Sequence, residues 1–356
     1  MRRVPAVIAA SLVAAVLFSC LTIISACSEP QASAAEALDK ATVQFSSAKS
    51  YHMQMNGALE LTSTGPVSDK DLAGLIPMKL TVSGQADMDL RDPANVRMKM
   101  YDLNINGLED VITRSKGAGG NEAQRALSAG MMTQMLKGME LVVIKDTFYM
   151  KMAGSWFSMS PGDIPNSSGM DFSCLYEAGP GEGAQVNSLT GDSFKDIEEL
   201  PAEDIDGVST RHFRATLDGS RMADKLDESY AKMQKCGFSQ PGPSVGADGY
   251  SDIDQVKKLY TTMYDKMQIE YWVDGDMQVR RMAGSMSFNM GEMMAAMGEA
   301  APDQSIEPVT FNFSGTADVS RLGEDFNIAA PEKSIPFKDI ANDGFDTAKP
   351  TARQAG

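Results

Sequence analysis

The stretch "YHMQMNGALEL", residues 51–61, alternates apolar and polar side chains over most of its length. Met53 and Met55 fall in one phase of the alternation, and His52 and Gln54 fall in the other. Successive side chains of a β-strand point to opposite faces of the sheet, so this pattern predicts a strand with one face buried and one face in water.

The same two-residue period recurs along the chain. It is found in "MKLTVSGQADMDL" (78–90), "VRMKMYDLNI" (96–105), "LVVIKDTFYMKMAGSWFSM" (141–159), "STRHFRATL" (209–217), "MQIEYWVDGDMQVRRMAGSMSFNM" (267–290) and "PVTFNFSGTADVS" (308–320). Turns such as "RDPAN" connect these segments, whereas parallel strands would need long crossovers. The pattern therefore predicts an antiparallel meander.

Amphipathic helices are predicted between the strands. The first places Leu38, Ala41 and Phe45 on one face. Other segments with apolar residues four apart predict further helices at 121–139, 218–235 and 251–266. Strands with inserted helices indicate an α+β fold, in which helices cover one side of an antiparallel sheet.

The N-terminal residues have the pattern of a secretory signal. Arg2 and Arg3 precede the almost wholly apolar run "VIAASLVAAVLFSCLTII". The run ends in "ISAC", which matches the bacterial lipobox, where a signal peptidase cuts before a diacylglycerol-modified cysteine. Cys20 matches less well, because Phe18 is bulky where a small or β-branched residue is expected. We predict that Cys27 is the lipidated residue.

This interpretation divides the chain into a signal peptide (1–26), a lipidated tether (27–36), one domain (37–338) and a disordered tail (339–356). Stable anchoring needs two acyl chains, and a diacylated Cys27 would supply both. The chain would then be held on the extracytoplasmic face of the cell membrane. Two alternatives remain open, a transmembrane anchor, since the apolar run could span a bilayer, and free secretion after cleavage at Ala26.

The composition is strongly acidic. Removing residues 1–26 takes two of the 32 basic residues and none of the 48 acidic ones, so the formal net charge changes from −16 to −18. Such a surface repels nucleic acid and anionic lipid headgroups. The charge therefore excludes nucleic acid as a partner and excludes a polybasic contact with the membrane.

Two cysteines, Cys174 and Cys236, remain after the signal and the anchor are assigned. In an oxidising compartment a disulfide between them is expected. Two buried free thiols are the alternative, because sequence does not give the Cα separation that a bridge requires.

The order of the elements resembles the LppX/LprG family of actinobacterial lipoproteins and, more distantly, LolA-type lipoprotein carriers. The resembling pieces are the lipobox, "KSYHMQMNGALEL", "VVIKDTFYMKMAGSWFSM", "DIDGVSTRHFRATLDGSRM", "IEYWVDGDMQVRRM" and "FNFSGTADVSRLGEDFNIAAPE". The resemblance implies a strongly curved antiparallel half-barrel with helices on one side and an apolar cavity between them. It also implies that the protein binds lipids or lipoglycans and carries them from the cytoplasmic membrane.

Residue patterns of catalysis are missing from the sequence. His52 and His212 both lie in strand patterns, where a half-exposed position is expected, and no cluster of metal ligands accompanies them. The acidic segment 196–206 lacks the ligand spacing of a calcium loop, so a solvated acidic edge is expected there. We predict no enzyme activity, cofactor or metal, while a hydrolase that uses paired carboxylates remains open.

Methionine is unusually frequent, with 26 Met against 14 Phe. Its flexible, polarizable side chain packs around variable apolar partners. The residues predicted to line an apolar cavity are Met53, Met55, Met88, Met98, Met100, Met150, Met152, Met286, Phe288 and Met290. An ordinary core filled with Met is the alternative interpretation.

The sequence thus favours a membrane-anchored lipoprotein that binds an apolar ligand, a lipid or glycolipid. The second interpretation is a non-catalytic cell-envelope interaction module with a filled core and an unidentified protein partner.

Overall fold

A single twelve-stranded β-sheet dominates the computed structural model of the chain. The structure describes residues 32–67, 70–92, 95–114, 130, 139–145, 147–160, 189, 191–224, 253–292 and 308–336. The sheet is open, with β12 at one edge and β7 at the other.

The helices and strands have the following bounds in chain order. They are α1 Ala34–Ser46, β1 Ser50–Ser63, α2 Lys70–Leu75, β2 Met78–Asp89, β3 Arg97–Asn106, α3 Leu108–Arg114, β4 Glu140–Ile144, β5 Thr147–Met152, β6 Ser155–Met159, β7 Phe194–Ile205, β8 Val208–Leu217, α4 Ile253–Tyr264, β9 Met267–Val273, β10 Val279–Asn289, β11 Val309–Ser320 and β12 Ile335–Pro336. Residues 219–224 are also helical.

Two antiparallel meanders, β1 to β6 and β7 to β11, make up the sheet. They join in the middle, where β1 pairs antiparallel with β11 over most of both strands, from His52–Ser320 to Ser63–Val309. The short strand β12 pairs parallel with β6, so the sheet is mixed at that edge. The central strands β2, β1, β11 and β10 are long, with 11 to 14 residues each.

Helix α1 packs its apolar side against the sheet. Its N-terminus is fixed by a capping box, in which Ser33 and Glu36 satisfy each other's backbone N–H groups. Leu38 and Ala41 are fully buried and belong to the same core cluster as Phe213 of β8. Tyr264 of α4 packs against this cluster too, so α1 and α4 share one side of the sheet.

The segment after β11 crosses the other side of the sheet. Phe326 and Ile328 are buried there against Val142 of β4. This second cluster also takes in Tyr149 and Trp156, which lie in the phase of Val142 on β5 and β6. The segment between β11 and β12 therefore covers β4 to β6 on the side of the sheet opposite α1.

An ion pair fixes the start of this crossing. Arg91 donates to buried Asp89 at 2.7 Å and to Asp325 at 2.6 Å. The hydrogen bond from Arg91 holds the pKa of Asp89 below its ordinary value, although burial opposes the shift. The turn after β2 is thereby tied to the segment that follows β11.

The predicted fold class, an α+β curved antiparallel sheet with helices on one side, is confirmed. The predicted helix at 251–266 is observed as α4, whereas 121–139 lies outside the described residues except for Gly130, which is helical, and Met139, which precedes β4. The first helix, α1, begins at Ala34 behind the Ser33 cap, and the predicted division of the chain into signal peptide, tether, domain and tail stays a prediction. Strand β7 was not predicted, and its acidic residues do form an edge of the sheet.

Candidate ligand-binding face

Strand register places the predicted methionines on one face of the sheet. Directly opposed residues of antiparallel strands point to the same face. Tyr51 of β1 is opposite Met88 of β2, and Leu141 of β4 is opposite both Met100 and Met150. By the same reasoning this face carries Met53, Met55, Met88, Met98, Met100, Met150, Met152, Met286 and Phe288. We call it the apolar face.

Phe288 and Met290 stand at the end of β10. The Phe288 ring stacks on Phe311 of β11, with centroids 5.1 Å apart and planes inclined by 11°. Met290 follows Asn289, the last residue of β10, so register does not assign it to the face.

On the four central strands this face holds apolar and aromatic side chains and glycines, with Ser63 at the end of β1 as the exception. Its members are Tyr51, Met53, Met55, Gly57, Leu59 and Leu61 on β1, Met78, Leu80, Val82, Gly84, Ala86 and Met88 on β2, Met282, Gly284, Met286 and Phe288 on β10, and Val309, Phe311, Phe313, Gly315, Ala317 and Val319 on β11. A ligand lying on these strands would meet no charge.

The core around α1 covers this face at one end. Val319 is buried in that core, and Met53 and Met282 pack against it. In the middle of the strands Phe313 is 43% exposed and Val82 is 42% exposed, whereas Leu61 and Val309 at the far end are buried. Large apolar side chains that remain in water on one continuous surface are typical of a binding surface.

A groove of about 550 Å³ lies on the opposite, polar face of the central strands. Small side chains such as Thr81, Ser83, Ser285 and Ser314 line it, together with Glu270. It contains none of the residues predicted to line an apolar cavity, and the carboxylate of Glu270 in its lining does not suit an apolar ligand.

His212 belongs to the polar face and is buried, with 5% of its surface exposed. Its ring stacks on Trp272, the residue opposite it on β9, with centroids 4.1 Å apart. Its Nε2 lies 2.9 Å from Glu270, and its Nδ1 lies 3.3 Å from Glu203. The prediction of a half-exposed histidine is therefore wrong for His212, because its cross-strand neighbour covers it.

Glu270 is hydrogen-bonded both to His212 and to Arg214. Burial raises the pKa of Glu270, but hydrogen bonds from Arg214 and His212 outweigh that effect and leave the pKa below its ordinary value. The carboxylate thus remains ionised and ties β8 to β9. Within the described residues, no group of three or more His, Cys, Asp or Glu side chains is placed to hold a metal ion.

Several predicted sites lie outside the described residues. These are Cys27 with the signal peptide, and Cys174 and Cys236, whose disulfide stays a prediction. In the described part of the chain, no helix is both long enough and apolar enough to cross a membrane.

Sequence reasoning missed the phenylalanines and glycines of the apolar face. Phe311 and Phe313 share the phase of Val309 and Val319 in "VTFNFSGTADV", so the alternation contained the signal. Gly57, Gly284 and Gly315 gave no such signal, because their alignment depends on which strands pair.

No protein-family model and no curated protein sequence matches this chain. Among solved structures, it is similar to the lipoprotein LppX of Mycobacterium tuberculosis, at 12% identity over 85% of this chain and 100% of that chain, with a TM-score of 0.37. LprF of Mycobacterium bovis matches at 14% identity over 85% of this chain and 99% of that chain, also with a TM-score of 0.37. A putative outer membrane lipoprotein-sorting protein domain from Vibrio parahaemolyticus matches at 9% identity over 84% and 95%, with a TM-score of 0.22.

These solved structures belong to the groups of lipoproteins that the sequence resembles. With identities below 15% and TM-scores below 0.5, no ligand and no residue role carries over from them to this chain.

Proposed function

We propose that this protein is a membrane-anchored extracytoplasmic lipoprotein that binds a lipid or glycolipid against the apolar face of its sheet. Binding would involve no covalent chemistry. Its free energy would come from enclosing an acyl chain, which contributes about 25 cal/mol for each Å² of apolar surface removed from water. The observation that carries the proposal is the uncovered middle of the apolar face, where Phe313 and Val82 are both more than 40% exposed.

The methionines support an apolar ligand of variable shape. Met286 of β10 is directly opposite the exposed Phe313, Met55 of β1 is opposite Ala317, and both methionines are only half-buried. Unbranched thioether side chains can adjust to different ligand contours without a large conformational cost. A face of this kind suits a lipid better than it suits one rigid protein partner.

The anchor is proposed on the sequence "ISAC" at residues 24–27. In a bacterial host that processes lipoproteins, the full-length chain is expected in the membrane fraction, with incorporated acyl label. Cys27→Ser should move it to the soluble fraction and abolish the label, since no second lipidated residue is proposed. Cys20→Ser is the matched control and should remain in the membrane.

Either of two outcomes would contradict the anchor. Membrane retention of the Cys27→Ser protein would indicate an uncleaved apolar helix as the anchor. A soluble, unlabelled wild-type chain would indicate free secretion.

Ligand binding is tested on the exported chain carrying Cys27→Ser and purified without detergent. Native mass spectrometry is expected to show about one lipid per chain, and solvent extraction should release it for identification. A clean apo mass, together with failure to accept added phospholipid or glycolipid, would reject the proposal in favour of an interaction module with a filled core.

A further inference from the structure

Methionine is confined to one side of the sheet. Every methionine of the described strands stands in the phase of the apolar face, and the polar face of these strands carries none. Met267 of β9, for example, is directly opposite Met286. Met159 of β6 is directly opposite Phe148, which lies in the phase of Met98. A chemical change at methionine would therefore be concentrated on the proposed binding surface.

Two of these methionines stand where the face is uncovered. Met286 is directly opposite Phe313, which is 43% exposed. Met55 is directly opposite Gly84, and Gly284 stands two residues from Met286 on β10. A glycine has no side chain that could shield a neighbouring thioether, and both methionines keep part of their surface in water. Both are therefore within reach of a small oxidant in the free protein.

Other methionines of the same two strands are packed. Met53 of β1 and Met282 of β10 pack against the core that contains Leu38 of α1 and Val319 of β11. Side chains held in such packing react more slowly with an oxidant than side chains that meet water. Strands β1 and β10 thus each carry one methionine in the uncovered middle and one against the core.

A sulfoxide would make this surface unsuitable for an apolar ligand, because oxidation converts the apolar side chain of methionine into a polar one. On the four central strands, only Tyr51 and Ser63 of the apolar face carry a hydroxyl group, and both stand near the ends of β1. A sulfoxide oxygen at Met55 or Met286 would lose water under the ligand without gaining a hydrogen-bond donor. Burying an unpaired polar group in this way opposes binding.

We infer that Met55 and Met286 form a reversible oxidation site that switches off binding of the apolar ligand. Hydrogen peroxide transfers one oxygen atom to each sulfur and is itself reduced to water. Methionine sulfoxide reductases remove that oxygen as water while a dithiol is oxidised to a disulfide. The inference rests on the proposed function, and it adds regulation of the same surface by oxidants outside the reducing cytoplasm.

The test oxidises the exported, delipidated Cys27→Ser chain with hydrogen peroxide. Peptide mass spectrometry follows each sulfoxide with time, and cis-parinaric acid is titrated by fluorescence after the peroxide has been removed. Met55→Leu/Met286→Leu keeps apolar side chains of similar volume that peroxide does not oxidise. Met53→Leu/Met282→Leu is the matched control, because it makes the same change on the same two strands against the core.

Met55 and Met286 are expected to oxidise about fivefold faster than Met53 and Met282. Peroxide should weaken binding about tenfold in the wild type and in Met53→Leu/Met282→Leu, and less than about threefold in Met55→Leu/Met286→Leu. Treatment with methionine sulfoxide reductases should restore the affinity of the oxidised wild type.

Wild-type affinity in a protein that carries sulfoxides at Met55 and Met286 would overturn the switch and leave lipid binding intact. Equal rates of oxidation at the packed and the uncovered methionines would contradict the proposed site. An equal loss of binding in both double variants would assign the effect to methionines elsewhere in the chain and would overturn the inference too. Absence of binding in the untreated wild type would instead reject the proposed function.

Discussion

Replacing Phe213 with Ala is expected to lower the free energy of unfolding by about 4 kcal/mol, the usual range for a phenylalanine lost from a tight core. Phe213 is fully buried on β8 and belongs to the cluster that receives Leu38 of α1. The Arg211 guanidinium also lies 4.9 Å from the centre of its ring. The substitution would leave a cavity under the helix that closes one end of the apolar face.

Urea unfolding followed by the fluorescence of Trp156 and Trp272 measures this change. Phe313→Ala is the matched control, since the same side chain is removed from a position that is 43% exposed, and we expect a loss of about 1 kcal/mol there. Equal losses in the two variants would contradict the packing of α1 on β8.

Much of the sheet can be predicted because methionine counts as apolar in the two-residue period. Most of the strands from β1 to β6 and from β8 to β11 keep that period over most of their length, although the β2–β3 and β9–β10 pairings each contain one register shift. Phase is preserved through a hairpin with a regular register. The predicted methionines therefore share one face even though they come from five strands.

Strand β7 shows where this reasoning fails. Its register with β8 shifts between Lys195 and Glu198 and again between Leu200 and Glu203. Each bulge reverses the phase of the residues that follow, so no single alternation runs through the strand. Charges and Pro201 are also typical of an edge strand, which must resist pairing with other chains.

The pairing of strands that are distant in the sequence could not be predicted either. Nothing local in β1 indicates that it pairs with β11, yet this pairing aligns Gly57 with Gly315. The burial of His212 likewise depends on Trp272, a residue of the neighbouring strand. Alternation identifies the apolar face, whereas only the register shows that Gly57, Gly315 and Gly284 are aligned within it.

Phe313→Asp is expected to reduce lipid affinity about a hundredfold while the protein stays folded. The side chain is 43% exposed in the free protein, so the new carboxylate would keep contact with water there. A bound acyl chain would remove that water, and the facing residues Leu59 and Met286 offer no cation. An unpaired charge buried in this way costs several kcal/mol, and each 1.4 kcal/mol is a factor of ten in affinity.

Titration with cis-parinaric acid and the amount of lipid that co-purifies measure the loss. Ser314→Asp is the matched control, because the next residue of β11 points to the polar face and should tolerate the same charge with unchanged binding. Phe313→Leu should also keep its affinity, since it preserves an apolar side chain at the position. If Phe313→Asp bound lipid as the wild type does, the ligand could not lie on the uncovered middle of the apolar face. If Phe313→Asp and Ser314→Asp weakened binding equally, the added negative charge of an already acidic protein would be the cause. That result would contradict the apolar face as the binding site.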